Sequence, residues 1–388
     1  MNKVRFGIVG VGNMGKIHAK NFLDGKVVDG VLTAVHDIDP KQVEWLKTDN
    51  AVEDAKKAET ATQSKDGTKL IKTSVKIFDS MTEMFKSGEI DAVLVSTSHY
   101  LHSTIAMEAF ANNLHVMIEK PAGVYTQQVR EMNEAAAKTD RVFGIMYQLR
   151  SNSIFQKMRQ IVSEGNLGEI KRTNWIVTNW YRSQAYYNTC KWRATWKGEG
   201  GGVLLNQCPH NLDLWQWICG MPNKVTAFCH EGKWHNIEVE DDVTAYVEYP
   251  NGATGVFVTS TADAPGTNRF EITGNNGKLV YDEGKLEFYR LKQGEREFNE
   301  ANTDMFGSPS AFRKEIIKTD GQVETHYGTL SAFVDKILGR GELYAHGAEG
   351  INGLMLSNAM YLSSWLGKTV PLPLDEDLFL EELRKKYR

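Results

Sequence analysis

A chain of 388 residues is too long for one ordinary hydrophobic core, so two domains are expected. Its 41% apolar and 24% charged residues and its net charge of −4 fit a soluble globular protein, and no lysine- or arginine-rich run suits nucleic acid or an anionic membrane. No apolar stretch approaches the roughly 20 residues that span a bilayer, no signal-like core follows Met1, and the four cysteines (Cys190, Cys208, Cys219, Cys229) form no CxxC pair, so reduced thiols in the cytoplasm are expected.

The first part alternates strand and helix signals. Val4 to Val9 reads as a strand, Met14 to Leu23 as a helix, and Val31 to His36 as a second strand ending at Asp37. Residues 47–73 turn polar and read as an inserted surface segment with some helix. Strands follow at Ile90 to Ser96, Leu114 to Ile118 and Val142 to Tyr147, with helices at Leu101 to Asn112 and Gln127 to Ala137. Strands alternating with helices predict βαβ units and a parallel sheet over residues 1–147.

Residues 148–388 read as a second, α+β domain with a largely antiparallel open sheet, for substrate binding and oligomerisation. After a helix at Ile154 to Ser163, alternating segments predict strands at Ile170 to Thr178, Lys224 to His230, Val243 to Tyr249, Thr254 to Ser260 and Arg269 to Thr273. Asn251-Gly252 and Asn276-Gly277 are hairpin signals, and successive hairpins imply an antiparallel sheet with helices on one face. Gln293 to Tyr327 is polar and reads as a loop or arm; Ala348 to Trp365 reads as a helix.

Gly10-Val11-Gly12-Asn13-Met14-Gly15 has GxGxxG spacing, follows a strand and opens a helix. The first glycine permits a tight turn, the second lets a pyrophosphate approach the backbone, and the third lets helix and strand pack closely. Asp37 ends the second strand about 20 residues on, where a carboxylate accepts from a ribose diol and repels a 2′-phosphate; NAD is therefore expected in preference to NADP. Lys120, in Glu119-Lys120-Pro121, lies just off the carboxyl end of a strand, on the side where open α/β sheets bind ligands. A buried lysine is eligible as a base because desolvation disfavours its charged form. Nothing resembles a zinc alcohol dehydrogenase site. The spacing of His230, His235, Glu238, Glu240, Asp241 and Asp242 matches no ligand motif, so no metal is expected.

A second cluster runs from Gly200-Gly201-Gly202 to Asp213. His210 and Asp213 share a helix face if the segment is helical, so Asp213 is expected to orient the imidazole. Asn206 converges with His210 if the helix continues through Pro209, which either begins or kinks it. Six of the nine tryptophans (Trp175, Trp180, Trp192, Trp196, Trp215, Trp217) fall in a short stretch with Tyr181, Tyr186 and Tyr187. Aromatic faces with polar tips suit a sugar ring, and about half of the tryptophans are expected to be packing residues instead. Tyr186, Tyr187, Trp192 and Arg193 are the preferred substrate contacts, with Asn206 and His210.

Taken together, these residues resemble the glucose–fructose oxidoreductase / inositol dehydrogenase / rhizopine-catabolism (Gfo/Idh/MocA) family over nearly the whole chain: the glycine fingerprint, the Glu-Lys-Pro turn, and GGG followed by a histidine with Asp three residues on. The resemblance implies that Lys120 and His210 are the proton-handling pair beside the nicotinamide, supported by Asn206 and Asp213. It also implies cofactor contacts from Asn13, Met14, Thr97, His102, Glu119 and Gln148. Many members carry aspartate where this chain has Asn206, which cannot relay a proton. The expected function is an NAD(P)-dependent oxidoreductase that oxidises a secondary ring hydroxyl of a sugar or glycoside, with carbon 3 of a pyranoside preferred. An inositol dehydrogenase, a redox-assisted glycosidase and a non-catalytic NAD-binding regulator are the alternatives. The expected partner is a small sugar, glycoside or cyclitol, with no nucleic acid and no membrane, and the protein is expected to be a homodimer or homotetramer.

Overall fold

The structure is a computed structural model that describes residues 3–46, 75–309, 312–323 and 325–387; the polar segment 47–73 lies outside the described residues. The chain forms two compact units. The first comprises Met1–Gly123, Gln127–Gln148 and Glu324–Gly350; the second comprises Val124–Thr126, Leu149–Val323 and Ile351–Arg388.

In the first unit, six parallel strands lie in the order β3-β2-β1-β4-β5-β6: β1 (Val4–Val9), β2 (Gly30–His36), β3 (Lys76–Ile77), β4 (Ala92–Val95), β5 (His115–Ile118) and β6 (Phe143–Ile145). The central strands are apolar without alternation because a parallel sheet is covered on both faces, and all four residues of β4 are buried. Helices Asn13–Leu23, His102–Ala111 and Thr126–Ala136 make crossovers. Strand order reverses between β1 and β4, so the loops that leave these two strands border the crevice where such sheets bind ligands.

The segment Glu324–Gly350 joins this unit although it follows the second sheet in the chain. Its helix His326–Ile337 is amphipathic, and Leu330, Phe333 and Val334 complete a core with Val4, Phe6, Phe22 and Val35. The first unit therefore draws on residues from both sides of position 147.

The second unit holds nine strands in the order β14-β13-β12-β11-β7-β10-β9-β8-β15. They are β7 (Ile170–Val177), β8 (Lys224–Glu231), β9 (Glu240–Glu248), β10 (Thr254–Ser260), β11 (Asn268–Gly274), β12 (Gly277–Asp282), β13 (Lys285–Leu291), β14 (Phe312–Ile316) and β15 (Val370–Pro371). Neighbours are antiparallel except β7 and β10. Trp175 stacks on Phe270 across β7 and β11, with ring centroids 4.3 Å apart. Trp215 of helix Pro209–Cys219 stacks on Phe257 and donates its indole N–H to Thr173 at 3.0 Å, so the helix is keyed to the sheet by one buried ring.

Two readings change. The β11–β12 turn consists of Asn275-Asn276, because Gly274 pairs with Gly277; the glycine is the first residue of β12, where a Cβ would strike the Tyr289 carbonyl. The polar stretch from Gln293 contains helix Glu295–Ala301 and the edge strand β14, whose pairing with β13 supplies the order that its residues do not signal.

Candidate active site

The dinucleotide loop is built by close packing. Gly10 has φ +86°, and a Cβ there would meet the Ser96 carbonyl; a Cβ on Gly15 would overlap the Gly10 carbonyl oxygen. Gly12, which precedes helix Asn13–Leu23, has open space where a side chain would stand. That space, with the first-turn amides of the helix beside it, fits a pyrophosphate. Asp37 closes the other side. Its Oδ2 accepts from the Val11 amide at 2.6 Å and its Oδ1 from the Asp39 amide at 2.8 Å. A carboxylate has about four acceptor positions, so two orienting amides leave capacity for a ribose diol.

The Glu119-Lys120-Pro121 turn follows β5, and its Lys120–Pro121 peptide is cis. The Glu119 carboxylate folds back so that Oε2 accepts from the Lys120 amide at 3.0 Å, while Oε1 lies 2.6 Å from His18 Nε2. Burial pushes this carboxyl up, but the His18 hydrogen bond and the nearby charges of His18, Lys120 and His326 outweigh burial and bring it to about 2. His102 is fully buried, and burial lowers its pKa. Its Nδ1 lies 2.8 Å from the Pro121 carbonyl and its Nε2 3.1 Å from the Thr97 carbonyl. Lys120 itself is half-buried. Asn13 and Met14 open the glycine-loop helix, and Gln148 begins the short turn Gln148–Ser151.

In the second unit the triple glycine is a packing feature. Side chains at Gly200, Gly201 and Gly202 would strike Val124, the Tyr361 hydroxyl and the Glu240 carbonyl respectively. The Glu240 carboxylate accepts from the Gly202 and Leu204 amides and the Tyr361 hydroxyl, each at 2.8 Å. The chain then makes a π-type turn, Val203–Gln207, before Pro209 starts the helix that carries His210. Proline fits there because the first helical turn has no use for its missing N–H.

Tyr186 is the hub of a polar cluster. Its hydroxyl oxygen is 2.8 Å from Arg193 Nη1 and 3.2 Å from Asn206 Nδ2. The buried Glu199 carboxylate accepts from the Ala194 amide at 2.6 Å, from Arg193 at 3.2 Å and from Asn206 Nδ2. An ionised carboxylate only accepts, so the Asn206 amide nitrogen faces Glu199 and its carbonyl oxygen faces the other way. Arg193 also lies over Trp192 and Tyr186, with centroid distances of 4.9 and 4.6 Å. Tyr187 is buried and shares a hydrogen with Thr261 at 2.8 Å. Asp213, expected to orient His210, takes a bidentate fork from Arg150 at 2.8 and 2.6 Å, with both side chains 1% exposed.

Trp175, Trp196 and Trp215 are core, whereas Trp192 is exposed. His18, Arg150 and Glu199 were not legible as site residues, because each acquires its place only through a partner distant in sequence or shape. Asp241, within the segment weighed for metal, takes the amides of Lys233, Trp234 and His235 and orders that loop.

A parallel sheet with this order, glycine turn and terminal aspartate is a Rossmann dinucleotide-binding domain. Residues 4–147 match the oxidoreductase family with an NAD-binding Rossmann fold, and residues 155–280 match the GFO/IDH/MocA C-terminal domain. The chain belongs to the GFO/IDH/MocA family. It is 28% identical to a 1,5-anhydro-D-fructose reductase from Ensifer adhaerens over 52% of this chain, but that match spans 60% of the reductase's length. It is 25% identical to a D-glucoside 3-dehydrogenase from Escherichia coli K12, over 76% of this chain and 83% of the relative. The WlbA dehydrogenase from Chromobactrium violaceum, solved with NADH and UDP-GlcNAcA, superposes with TM-score 0.76 at 28% identity, over 97% of each chain. No helix among the described residues is long and apolar enough to cross a membrane.

Proposed function

We propose that this protein is an NAD-dependent dehydrogenase that oxidises a secondary ring hydroxyl of a sugar or glycoside, with carbon 3 of a pyranoside as the preferred position. The observation that carries the reading is Asp37, held by the Val11 amide at the mouth of the glycine loop, where it selects an unphosphorylated ribose. The aromatic and polar cluster of Tyr186, Trp192, Arg193 and Asn206 supports a polyhydroxylated ring as substrate, since it combines ring faces with hydrogen-bonding groups. Relatives named as a glucoside 3-dehydrogenase and an anhydrofructose reductase favour the same class.

Bound NAD supplies the hydride acceptor. Gly10, Gly12 and Gly15 with Asn13 and Met14 shape the pyrophosphate cradle, and Asp37 orients the ribose. Lys120 takes the hydroxyl proton, and His210 is the second proton-handling group. Asn206 offers its carbonyl oxygen to a substrate hydroxyl, a hydrogen-bonding role and not an acid–base one. The reading includes a homodimer or homotetramer, which light scattering would test. The direct test of function is NADH absorbance with a panel of free sugars, glycosides and inositols. Turnover of a pyranoside is expected; tight NAD binding without turnover of any polyol would overturn the proposal.

A further inference from the structure

His18, Glu119 and the turn that bears Lys120 form one buried assembly within the first unit. His18 sits three residues after Gly15, on the helix that opens at the dinucleotide loop, and is completely buried. Its Nε2 faces the Glu119 carboxylate at 2.6 Å. Because an ionised carboxylate only accepts, Nε2 carries the proton. The other carboxylate oxygen takes the Lys120 amide. The His326 ring meets His18 edge-on at 5.5 Å, and His102 holds the Pro121 carbonyl from the other side.

We propose that Glu119 and His18 are positioning residues for Lys120: the pair clamps the backbone of the turn through the Lys120 amide and places a fixed negative charge beside the lysine side chain. The inference rests on Lys120 being the proton acceptor of the reaction. The charge matters because the lysine must be neutral to accept a proton. A neighbouring carboxylate favours the ammonium, so it raises the pH at which the base becomes available. Among the described residues, groups that act electrostatically on Glu119 include His18 from helix Asn13–Leu23, His102 from helix His102–Ala111 and His326 from helix His326–Ile337. Burial lowers the pKa of His102 and of His326. The link also joins the helix behind the cofactor loop to the catalytic turn without passing through the sheet.

Glu119→Gln tests the charge at constant shape. The glutamine oxygen can keep the Lys120 amide, and its NH2 can donate to His18 Nε2 if the ring moves its proton to Nδ1, which has no partner among the described residues. Competitive acetylation of the cofactor-free protein, read by peptide mass spectrometry, reports the titration of Lys120 without any turnover. Its midpoint should fall by about one pH unit or more in Glu119→Gln, and the acid limb of kcat/KM should move down with it. His18→Ala, which removes the clamp, should lower kcat by about tenfold to a hundredfold with little change in KM; His18→Gln, which retains a donor, should recover most of the loss. An unchanged Lys120 midpoint in a folded Glu119→Gln protein, or equal losses in His18→Ala and His18→Gln, overturns the inference. A midpoint that shifts while the acid limb stays put shows that the charge acts on Lys120 but removes Lys120 from the proton-accepting role, and so overturns the inference as a positioning device for the base.

Discussion

Replacing Asp37 should change which dinucleotide the protein prefers. The carboxylate is fixed by two backbone amides at 2.6 and 2.8 Å, so it does not need to be reoriented when a ribose arrives. Charge-assisted hydrogen bonds from the diol to such a group contribute about 1.5–3 kcal/mol, which is roughly a tenfold to hundredfold change in Kd. The same carboxylate opposes a 2′-phosphate; two unit charges 4 Å apart repel by about 4 kcal/mol near a protein surface. Asp37→Ala should therefore weaken NAD, strengthen NADP, and shift the ratio of their dissociation constants by about a hundredfold or more. Asp37→Asn should retain the Val11 contact, lose the repulsion, and fall between. Calorimetric titration of both dinucleotides measures the ratio directly. If Asp37→Ala weakens both by the same factor, the residue merely supports the loop, and the account of cofactor choice is wrong.

Other expectations follow from the same geometry. Lys120→Ala should reduce kcat by about a hundredfold to ten-thousandfold, with the calorimetric affinity for NAD retained; near-normal hydride transfer would exclude the proposed role. Arg150→Met leaves the buried Asp213 carboxylate without its fork and should cost about 3–5 kcal/mol in urea unfolding, whereas replacing both partners with apolar residues should recover much of it. Glu119 titrates near 2 in the fold against 4.5 for an ordinary glutamate, so its contribution is complete above pH 4.5 and disappears as pH falls through about 2. Acid-unfolding curves of Glu119→Gln should lack about 3 kcal/mol of that dependence; identical curves would show that the pair is not coupled to folding. Glu199→Ala should loosen Asn206 and Arg193 together, raising KM for the proposed sugar substrate with little effect on NAD binding, which steady-state kinetics would reveal.

Much of the first unit could be read from residues alone, because its signals are local. A continuous apolar strand, a glycine turn and an amphipathic helix each follow from neighbours in the chain, and the aspartate closing β2 sits a set distance from the loop it serves. The hairpin alternation of the second sheet was legible for the same reason, although the edge strand β14 was not: an edge strand has one hydrogen-bonded neighbour, so its residues need not alternate. The triple glycine carried a true signal with a different cause, since Val124, Tyr361 and the Glu240 carbonyl crowd its three Cα atoms.

The amino-acid order determined which chemical groups stand at strand ends and helix starts: the glycine loop, Asp37, Lys120 and His210. Partnership was decided only by the tertiary structure. His18 meets Glu119 across 101 positions of chain, Asp213 takes its fork from Arg150 across 63, and Leu330, Phe333 and Val334 return to the first core. Each of these choices depends on burial. Once a charge or an apolar face leaves water it must be matched by whatever the fold brings within contact distance, and that partner has no spacing a sequence pattern can express.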